Sequence, residues 1–160
     1  MAYEECTVVG RNAVMEAYRS GKTIDKLFIL DGCQDGPIKS ILREARKRDT
    51  LIKFVSKEKL DSLSFHEKHQ GVVAIAAAYE YATVEDLFKK AEEKGEPPFI
   101  ILLDNIEDPH NLGAIIRTAN LAGAHGVIIP KHRAVGLTAT VAKTSAGALN
   151  YTPVAKVANL

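Results

Sequence analysis

The sequence predicts a layered α/β fold built as two successive units. Segments with helical spacing of apolar residues alternate with short continuous apolar runs, a pattern typical of helices packed on sheets. A polar stretch that ends in Pro97-Pro98 separates the two units, because adjacent prolines forbid regular structure. With 160 residues, of which 46% are hydrophobic, the chain can form two small domains with cores of their own.

Three helices and three strands are predicted for the first unit, over about residues 4–79, in the order α-β-α-β-α-β. Gly21 is a typical stop for the first helix, Pro37 suits the first turn of the second, and Ser56 can cap the third. The three helices are expected around 14–18, over 36–45 and from the cap Ser56 to residue 63. The three strands are expected at 27–30, 51–55 and 71–78.

The segment 80–97 has a different character. Thr83 followed by Asp86 predicts a capping box, and a short apolar stripe on the next two turns runs up to Gly95, a typical end of a helix. We interpret this segment as a helical linker between two domains.

The second unit begins with a β-α-β pattern. Residues 99–103 form a continuous apolar strand, which is typical of a sheet covered on both faces. A helix over 111–122 and a strand over 127–129 complete the crossover. A short helix at 138–144 and a last strand at 153–157 follow.

Charge and composition exclude several classes of protein. Lys and Arg number 21 against 20 Asp and Glu, a net charge of +1, which excludes a strongly basic nucleic-acid coat but not a local basic patch. No apolar run approaches the roughly 18 residues of a membrane span, and the N-terminus lacks the pattern of a secretory signal. Cys6 and Cys33 cannot form a disulfide framework, so a cytoplasmic protein with reduced thiols is expected. No metal site is expected, and His66 and His69 are interpreted as solvated.

The loop 104–110 is the strongest candidate for a site. It lies between the carboxyl end of a strand and the amino end of a helix, where open α/β sheets bind ligands. Asn111 can cap that helix, Gly113 allows close backbone approach, and Arg117 follows one turn later. An Asn and an Arg beside a helix amino end suit an anionic or phosphate-bearing substrate. An ordinary capped helix with an exposed arginine fits the same residues equally well.

The first unit offers two groups of basic residues. Lys39, Arg43, Arg46 and Lys47 fall on one helix face, which suits either RNA or plain solvation. Arg11 with Asn12, just before the first helix, suits RNA contact, or else a helix start with Asn12 as the cap and Arg11 solvated.

Several motifs resemble those of one enzyme family. Residues 104–119 read Asp-Asn-Ile-Glu-Asp-Pro-His-Asn-Leu-Gly-Ala-Ile-Ile-Arg-Thr-Ala and resemble the first motif of the SpoU (TrmH-like) RNA 2′-O-ribose methyltransferases. The match continues through 126–133 and 143–149. The N-terminal stretches 9–14, 26–29 and 69–72 resemble the small RNA-binding substrate domain of that family.

The resemblance implies an architecture for the N-terminal two-thirds of such a protein. Residues 1–79 would form the RNA substrate-binding domain and 80–97 the helical linker. Residues 98–160 would form the first half of an α/β-knot (SPOUT-type) methyltransferase domain that lacks its C-terminal knot. The family implies S-adenosylmethionine as cofactor, structured RNA (rRNA or tRNA, 23S rRNA in particular) as substrate, and a homodimer.

The resemblance also assigns roles to residues. Asn111 and Arg117 match the two catalytic residues of the first motif, with Arg117 directed to the ribose 2′-hydroxyl and the target phosphate across the dimer interface. A guanidinium has a pKa above ~12, so positioning is the better role for Arg117 than proton abstraction. Arg11, Asn12, Lys39 and Arg43 are the expected RNA-binding residues.

Two family motifs are missing from the sequence. These are the second motif, with its Glu-Gly pair, and the third, which resembles Ile-Pro-Met…Ser-Leu-Asn; in the family they supply the knot, the cofactor pocket and most of the dimer contact. Cofactor-binding residues are therefore expected beyond Leu160. Two hypotheses follow: a truncated RNA 2′-O-ribose methyltransferase, or a non-catalytic RNA-binding or dimerisation fragment of that family.

Overall fold

The computed structural model describes residues 6–160, and the chain forms two compact units, Met1–Ala77 and Ala78–Leu160. Both units contain helices packed on a sheet, so the predicted α/β class is confirmed. The boundary falls just before the segment 80–97, for which the sequence predicts a linker.

The first unit is a four-stranded mixed sheet with three helices. Its elements in chain order are β1 (Thr7–Val9), α1 (Arg11–Arg19), β2 (Ile24–Leu30), α2 (Gly36–Lys47), β3 (Leu51–Val55), α3 (Lys57–Leu63) and β4 (Val72–Ala76). The strand order is β1-β4-β2-β3, with β2 parallel to β3 and β4 antiparallel to both of its neighbours. The predicted order lacks β1, because three half-buried residues are too few to show a period.

Strand β4 forms the centre of this unit, and all five of its residues are buried. Helix α2 covers the sheet with Ile38, Ile41, Leu42 and Ala45, whose spacing of three and four residues gives one apolar stripe. Ser56 caps α3 by accepting the backbone N–H of Lys59, as predicted.

An ion pair joins the amino ends of α1 and α2. Asp35 is the N-cap of α2 and accepts the backbone N–H of Ile38 at 3.1 Å, while its other carboxylate oxygen lies 2.5 Å from the Arg11 guanidinium. The backbone hydrogen bond from Ile38, followed by the hydrogen bond and the charge of Arg11, lowers the pKa of Asp35. At the start of α1 the N-cap is Gly10, with φ of 91°, so the alternative of Asn12 as the cap is wrong.

The second unit is a three-stranded parallel sheet in the order β5-β6-β7. Its elements are α4 (Val84–Lys94), β5 (Ile100–Leu102), α5 (Pro109–Leu121), β6 (Gly126–Pro130), α6 (Ala139–Thr144), a single 3₁₀ turn (Ala148–Asn150) and β7 (Val154–Val157).

The central strand β6 contacts helices on both of its faces. Val127 and Ile129 pack in one apolar cluster with Leu112 and Ile116 of α5. Ile128, which points the other way, packs with Leu87 of α4. The prediction that 99–103 is covered on both faces is wrong in part: β5 is one of the two end strands of this sheet, and Phe99 and Leu102 are 46% and 57% exposed.

Helix α4 belongs to the second sheet, which corrects the expectation of a helical linker. Thr83 and Asp86 form the predicted capping box, and Gly95 ends the helix in a left-handed conformation. The helix lies so close to the sheet that a Cβ on Gly126 would be 2.2 Å from the Leu87 side chain. The predicted helix is therefore present, but it covers a strand instead of standing between domains.

His125 fixes the point at which β5 begins. Its buried imidazole accepts the backbone N–H of Phe99 at Nδ1, at 3.0 Å, so Nε2 carries the proton and donates to Glu96, also at 3.0 Å. The backbone N–H of His125 donates to the Phe99 carbonyl at 2.7 Å. Pro97 and Pro98 lack N–H groups, so Phe99 supplies the first backbone donor after the break.

We expect Gly126→Ala to destabilise the second unit by about 1–3 kcal/mol, because the added methyl overlaps the buried Leu87 and lies 3.0 Å from the Pro153 carbonyl oxygen. Thermal unfolding followed by circular dichroism measures the change. Gly36→Ala is the control: no atom lies within 4 Å of its new Cβ, so it should leave stability the same or slightly higher.

The Arg11–Asp35 pair should make stability depend on pH. The pKa of Asp35 is lowered in the fold, so its contribution is complete above the unfolded value of about 3.9 and is lost as the pH falls below it. Asp35→Asn keeps an acceptor for the cap but loses the charge. The variant should be less stable than the wild type at pH 7, and the difference should shrink at about pH 3. A difference in melting temperature that is constant with pH would contradict this.

Candidate functional site

The carboxyl ends of the three parallel strands in the second unit surround an open cavity of about 460 Å³. Charged side chains that follow two of these strands line it, together with the residues after β7. The lining residues are Asp104, Pro130, His132, Arg133, Ala158, Asn159 and Leu160. Asp104 lies in the loop that the sequence predicts as the site, whereas sequence reasoning gave no role to His132 and Arg133, although their positions just after an apolar strand were a usable signal.

The loop after β5 is held in place by the core. The Ile106 side chain packs against the α5 cluster, and its carbonyl accepts the backbone N–H of Val135 at 2.9 Å. Asn105 adopts a positive φ of 55°, which asparagine tolerates better than most residues. The loop predicted as the site is thus a fixed feature of the fold.

The cap of α5 differs from the prediction. Asp108 is the N-cap and accepts the backbone N–H groups of His110 at 2.7 Å and Asn111 at 3.0 Å, while Pro109 occupies the first helical position. Asn111 as the cap is therefore wrong, because Asp108 immediately precedes the proline that starts the helix. The Asp108 carboxylate already occupies the amides that the sequence assigned to an anionic ligand.

Gly113 permits a close approach, as predicted, but the approaching group is α6. A Cβ at this position would be 2.6 Å from the Cβ of Thr144 and 3.1 Å from the backbone nitrogen of Ser145. The contact fixes α6 against the first two turns of α5, next to Asn111.

Asn111 and Arg117 are both exposed. Six residues on a helix correspond to about 9 Å along the axis and a rotation of about 240°, so the two side chains leave different faces of α5. One copy of the chain therefore does not bring the two predicted catalytic residues together.

In the first unit, Arg11 makes several intramolecular bonds. Besides the contact with Asp35, its Nε donates to the Gln70 carbonyl at 2.9 Å and its backbone N–H donates to Gln70 Oε1 at 3.2 Å. The side chain is 29% exposed, so the alternative of a solvated Arg11 is wrong. Asn12, the next residue, is exposed.

Arg43 lines an open groove of about 320 Å³ between α1 and α2, whereas Lys39 lies outside its lining. Two further arginines, Arg19 and Arg48, border the groove, and sequence reasoning missed both. The Arg48 guanidinium lies over the Tyr18 ring, 5.6 Å from its centroid, a cation–π contact. Arg48 is the C-cap of α2, and the signal for it was Glu44, four residues earlier, to which it is paired at 4.0 Å.

The structure tests the interpretation of His66 and His69 as solvated. His66 is exposed, but the interpretation of His69 as solvated is wrong: it is buried, with Nε2 3.0 Å from Asp61. Within residues 6–160, no three His, Cys, Asp or Glu side chains are close enough to hold a metal ion. No helix in that range has the length and apolar character needed to cross a membrane.

Two family profiles match the chain in succession. Residues 7–82 match the family described as RNA 2′-O ribose methyltransferase substrate binding. Residues 98–160 match the SpoU rRNA methylase family. Only residues 1–6 and the segment 83–97, which contains α4, lie outside the two matches.

Relatives are found in several bacteria. YacO of Bacillus subtilis, assigned to the TrmH family of tRNA/rRNA methyltransferases, is 49% identical over 160 residues, all of this chain and 64% of that protein. A protein of Staphylococcus epidermidis with the same assignment is 46% identical over 157 residues, 98% of this chain and 63% of that protein. The chain thus spans slightly less than two-thirds of these relatives.

The chain is also similar to solved structures. One is an AdoMet-bound rRNA methyltransferase from Sinorhizobium meliloti, with a TM-score of 0.41 and 24% identity over 94% of this chain and 53% of that one. The AdoMet complex of AviRb from Streptomyces viridochromogenes has a TM-score of 0.41 and 22% identity, over 96% and 55% of the two chains. From the two family profiles and the bacterial relatives, we conclude that this chain belongs to the SpoU (TrmH-like) RNA methyltransferase family and covers part of the length of its members.

Proposed function

We propose that the protein, at the length of its relatives, transfers a methyl group from S-adenosylmethionine to a ribose 2′-hydroxyl of structured RNA, 23S rRNA or tRNA. The observation that carries the proposal is the succession, in one chain, of a substrate-binding unit and a methylase unit. The protein would act as a homodimer in the cytoplasm, where Cys6 and Cys33 would remain the free thiols that they are in the structure.

The first unit would hold the RNA. Asn12, Lys39 and Arg43 are exposed, and cationic side chains supply the phosphate contacts that dominate RNA affinity. Arg11 would contribute from a fixed position, because Asp35 and Gln70 hold its guanidinium. This pairing means that Arg11 offers less free charge than Arg43.

The second unit would act on the ribose. Arg117 would orient the target phosphate and the 2′-hydroxyl with the fixed geometry of its guanidinium, and Asn111 would donate a hydrogen bond at the same site. Their separation on α5 supports a site in which one copy of the chain supplies Arg117 and its partner supplies Asn111, as in a shared dimer site.

The cofactor would bind mainly to residues outside this chain. The cavity at the strand ends is open, and Asp104, His132 and Arg133 give it a charged lining, which does not fit the enclosed apolar surroundings of an adenine ring. We therefore assign no residue of this chain to S-adenosylmethionine. When bound, the cofactor would supply the methyl group.

The catalytic assignment predicts the effect of Arg117→Ala in the protein at the length of its relatives. The single-turnover rate at saturating RNA should fall by about 100-fold or more, because the ribose would be misplaced, while affinity for S-adenosylmethionine stays nearly unchanged. Tritium transfer to RNA measures the rate. Lys94→Ala, at the exposed end of α4, is the control. A wild-type rate in Arg117→Ala would show that the first motif is only a capped helix.

The RNA assignment predicts different effects for two arginines of one helix. In the 160-residue chain, Arg43→Gln should weaken binding to a structured RNA and reduce the slope of log affinity against log salt concentration by about one, since one phosphate contact is lost. Arg46→Gln removes the same charge from an exposed position outside the groove. It should leave the slope nearly unchanged, and equal slopes for both variants would overturn the role of Arg43.

A further inference from the structure

The loop between α3 and β4, residues 64–71, has an unusual backbone. Phe65, His66 and Gln70 adopt positive φ values of 54°, 64° and 51°. Bulky side chains rarely adopt this left-handed region, because the Cβ crowds the backbone. Such a conformation persists only where the surrounding structure imposes it, and it is concentrated at ligand-binding sites.

Hydrogen bonds impose this conformation from both ends of the loop. The backbone N–H of His66 donates to the Asp61 carbonyl at 2.8 Å, and the Oγ of the buried Ser64 lies 3.2 Å from the carbonyls of both Asp61 and Glu67. At the other end, the buried His69 accepts the Gly71 N–H at 2.9 Å through Nδ1 and contacts the Asp61 carboxylate through Nε2. The loop is therefore a rigid structure.

Phe65 stays partly exposed in this strained loop. Its side chain is 45% exposed, and His66 beside it is exposed as well. Covering the exposed part of the ring would be favourable, since burial of apolar surface is stabilising. Here the fold holds an aromatic ring outward at an energetic cost, which points to a ligand that covers the ring.

The same loop is bonded to the proposed RNA-contact residues. Gln70 accepts two hydrogen bonds from Arg11, at its carbonyl and at Oε1, so the loop and the start of α1 form one continuous surface. Asn12, which follows Arg11, is exposed, and so is Lys68 of the loop. The loop and the start of α1 thus bring an exposed aromatic ring, a lysine and an amide side chain into one part of the first unit.

We propose that Phe65 is a stacking platform for an unpaired base of the RNA substrate. The proposal rests on the proposed function, because it takes RNA as the ligand of the first unit. A ring face stacks on any base, and proteins that recognise RNA mostly contact unpaired bases in loops and bulges, where the base face is accessible. Lys68 would reach the phosphate next to the stacked base, and Asn12 the sugar or the base edge.

Binding to two RNA probes tests the proposal with the 160-residue chain. One probe is a hairpin with a loop of about seven adenosines, and the other is a blunt duplex of the same stem. Phe65→Ala should lower affinity for the hairpin about tenfold, the effect of losing one aromatic–base stack, and affinity for the duplex less than twofold. Phe65→Gly should do the same while keeping the fold, because glycine suits the positive φ. Phe54→Ala, which removes a similarly exposed ring from β3, should change neither affinity.

Tryptophan fluorescence gives a direct reading of stacking, because the chain contains no tryptophan. Phe65→Trp should bind the hairpin like the wild type, and the hairpin should quench its emission while the duplex does not; Phe54→Trp should be quenched by neither. The platform would be overturned if the wild type binds the hairpin, Phe65→Ala loses no affinity and the emission of Phe65→Trp is not quenched. The proposed function would stand in that case. Equal losses on hairpin and duplex would also overturn it. Absence of RNA binding by the wild-type chain would overturn the platform together with the RNA-holding role proposed for the first unit.

Discussion

The central strand of the second unit, β6, must bury both of its faces, and this requirement places the helices α4 and α5. Alternate residues of β6 point to opposite sides, so Val127 and Ile129 need α5 while Ile128 needs α4. The glycine at the start of β6 then lets α4 approach until Leu87 fills the space of a missing side chain. Because α5 and α6 pack on the same apolar cluster, the position of the first family motif follows from this coverage as well.

Most elements could be predicted from the sequence, since their signals are local. Ser56, Thr83 with Asp86, and Gly95 cap their helices as the spacing indicates. The errors concern partners that are distant in the chain. Asn111 has the chemistry of a cap, yet Asp108 takes that place. A run of apolar residues at 99–103 indicates burial. The exposure of these residues, however, depends on whether their strand lies at the end of the sheet, and the order of strands in a sheet cannot be inferred from the sequence of one strand.

The candidate sites show the same contrast between local signals, which the sequence contains, and distant partners, which it does not reveal. The sequence offers Arg11 as a candidate RNA contact because it is cationic and lies at the start of a helix, but it does not reveal that Arg11 is paired with Asp35 and Gln70. The groove arginines Arg19 and Arg48 come from different helices, and only tertiary packing brings them beside Arg43. The left-handed backbone at Phe65 is invisible in the sequence, because neither glycine nor asparagine marks the position.

The imidazole of His125 also fixes the number of residues between Glu96 and Phe99. Glu96 and Phe99 bind opposite nitrogens of one buried ring, and the two prolines between them are the whole of the chain that joins these contacts. One residue more or fewer would break one of the two bonds, and it would shift β5 by a step that turns its core-facing side chains outward. The diproline therefore works as a spacer of fixed length that keeps the strand in register with β6.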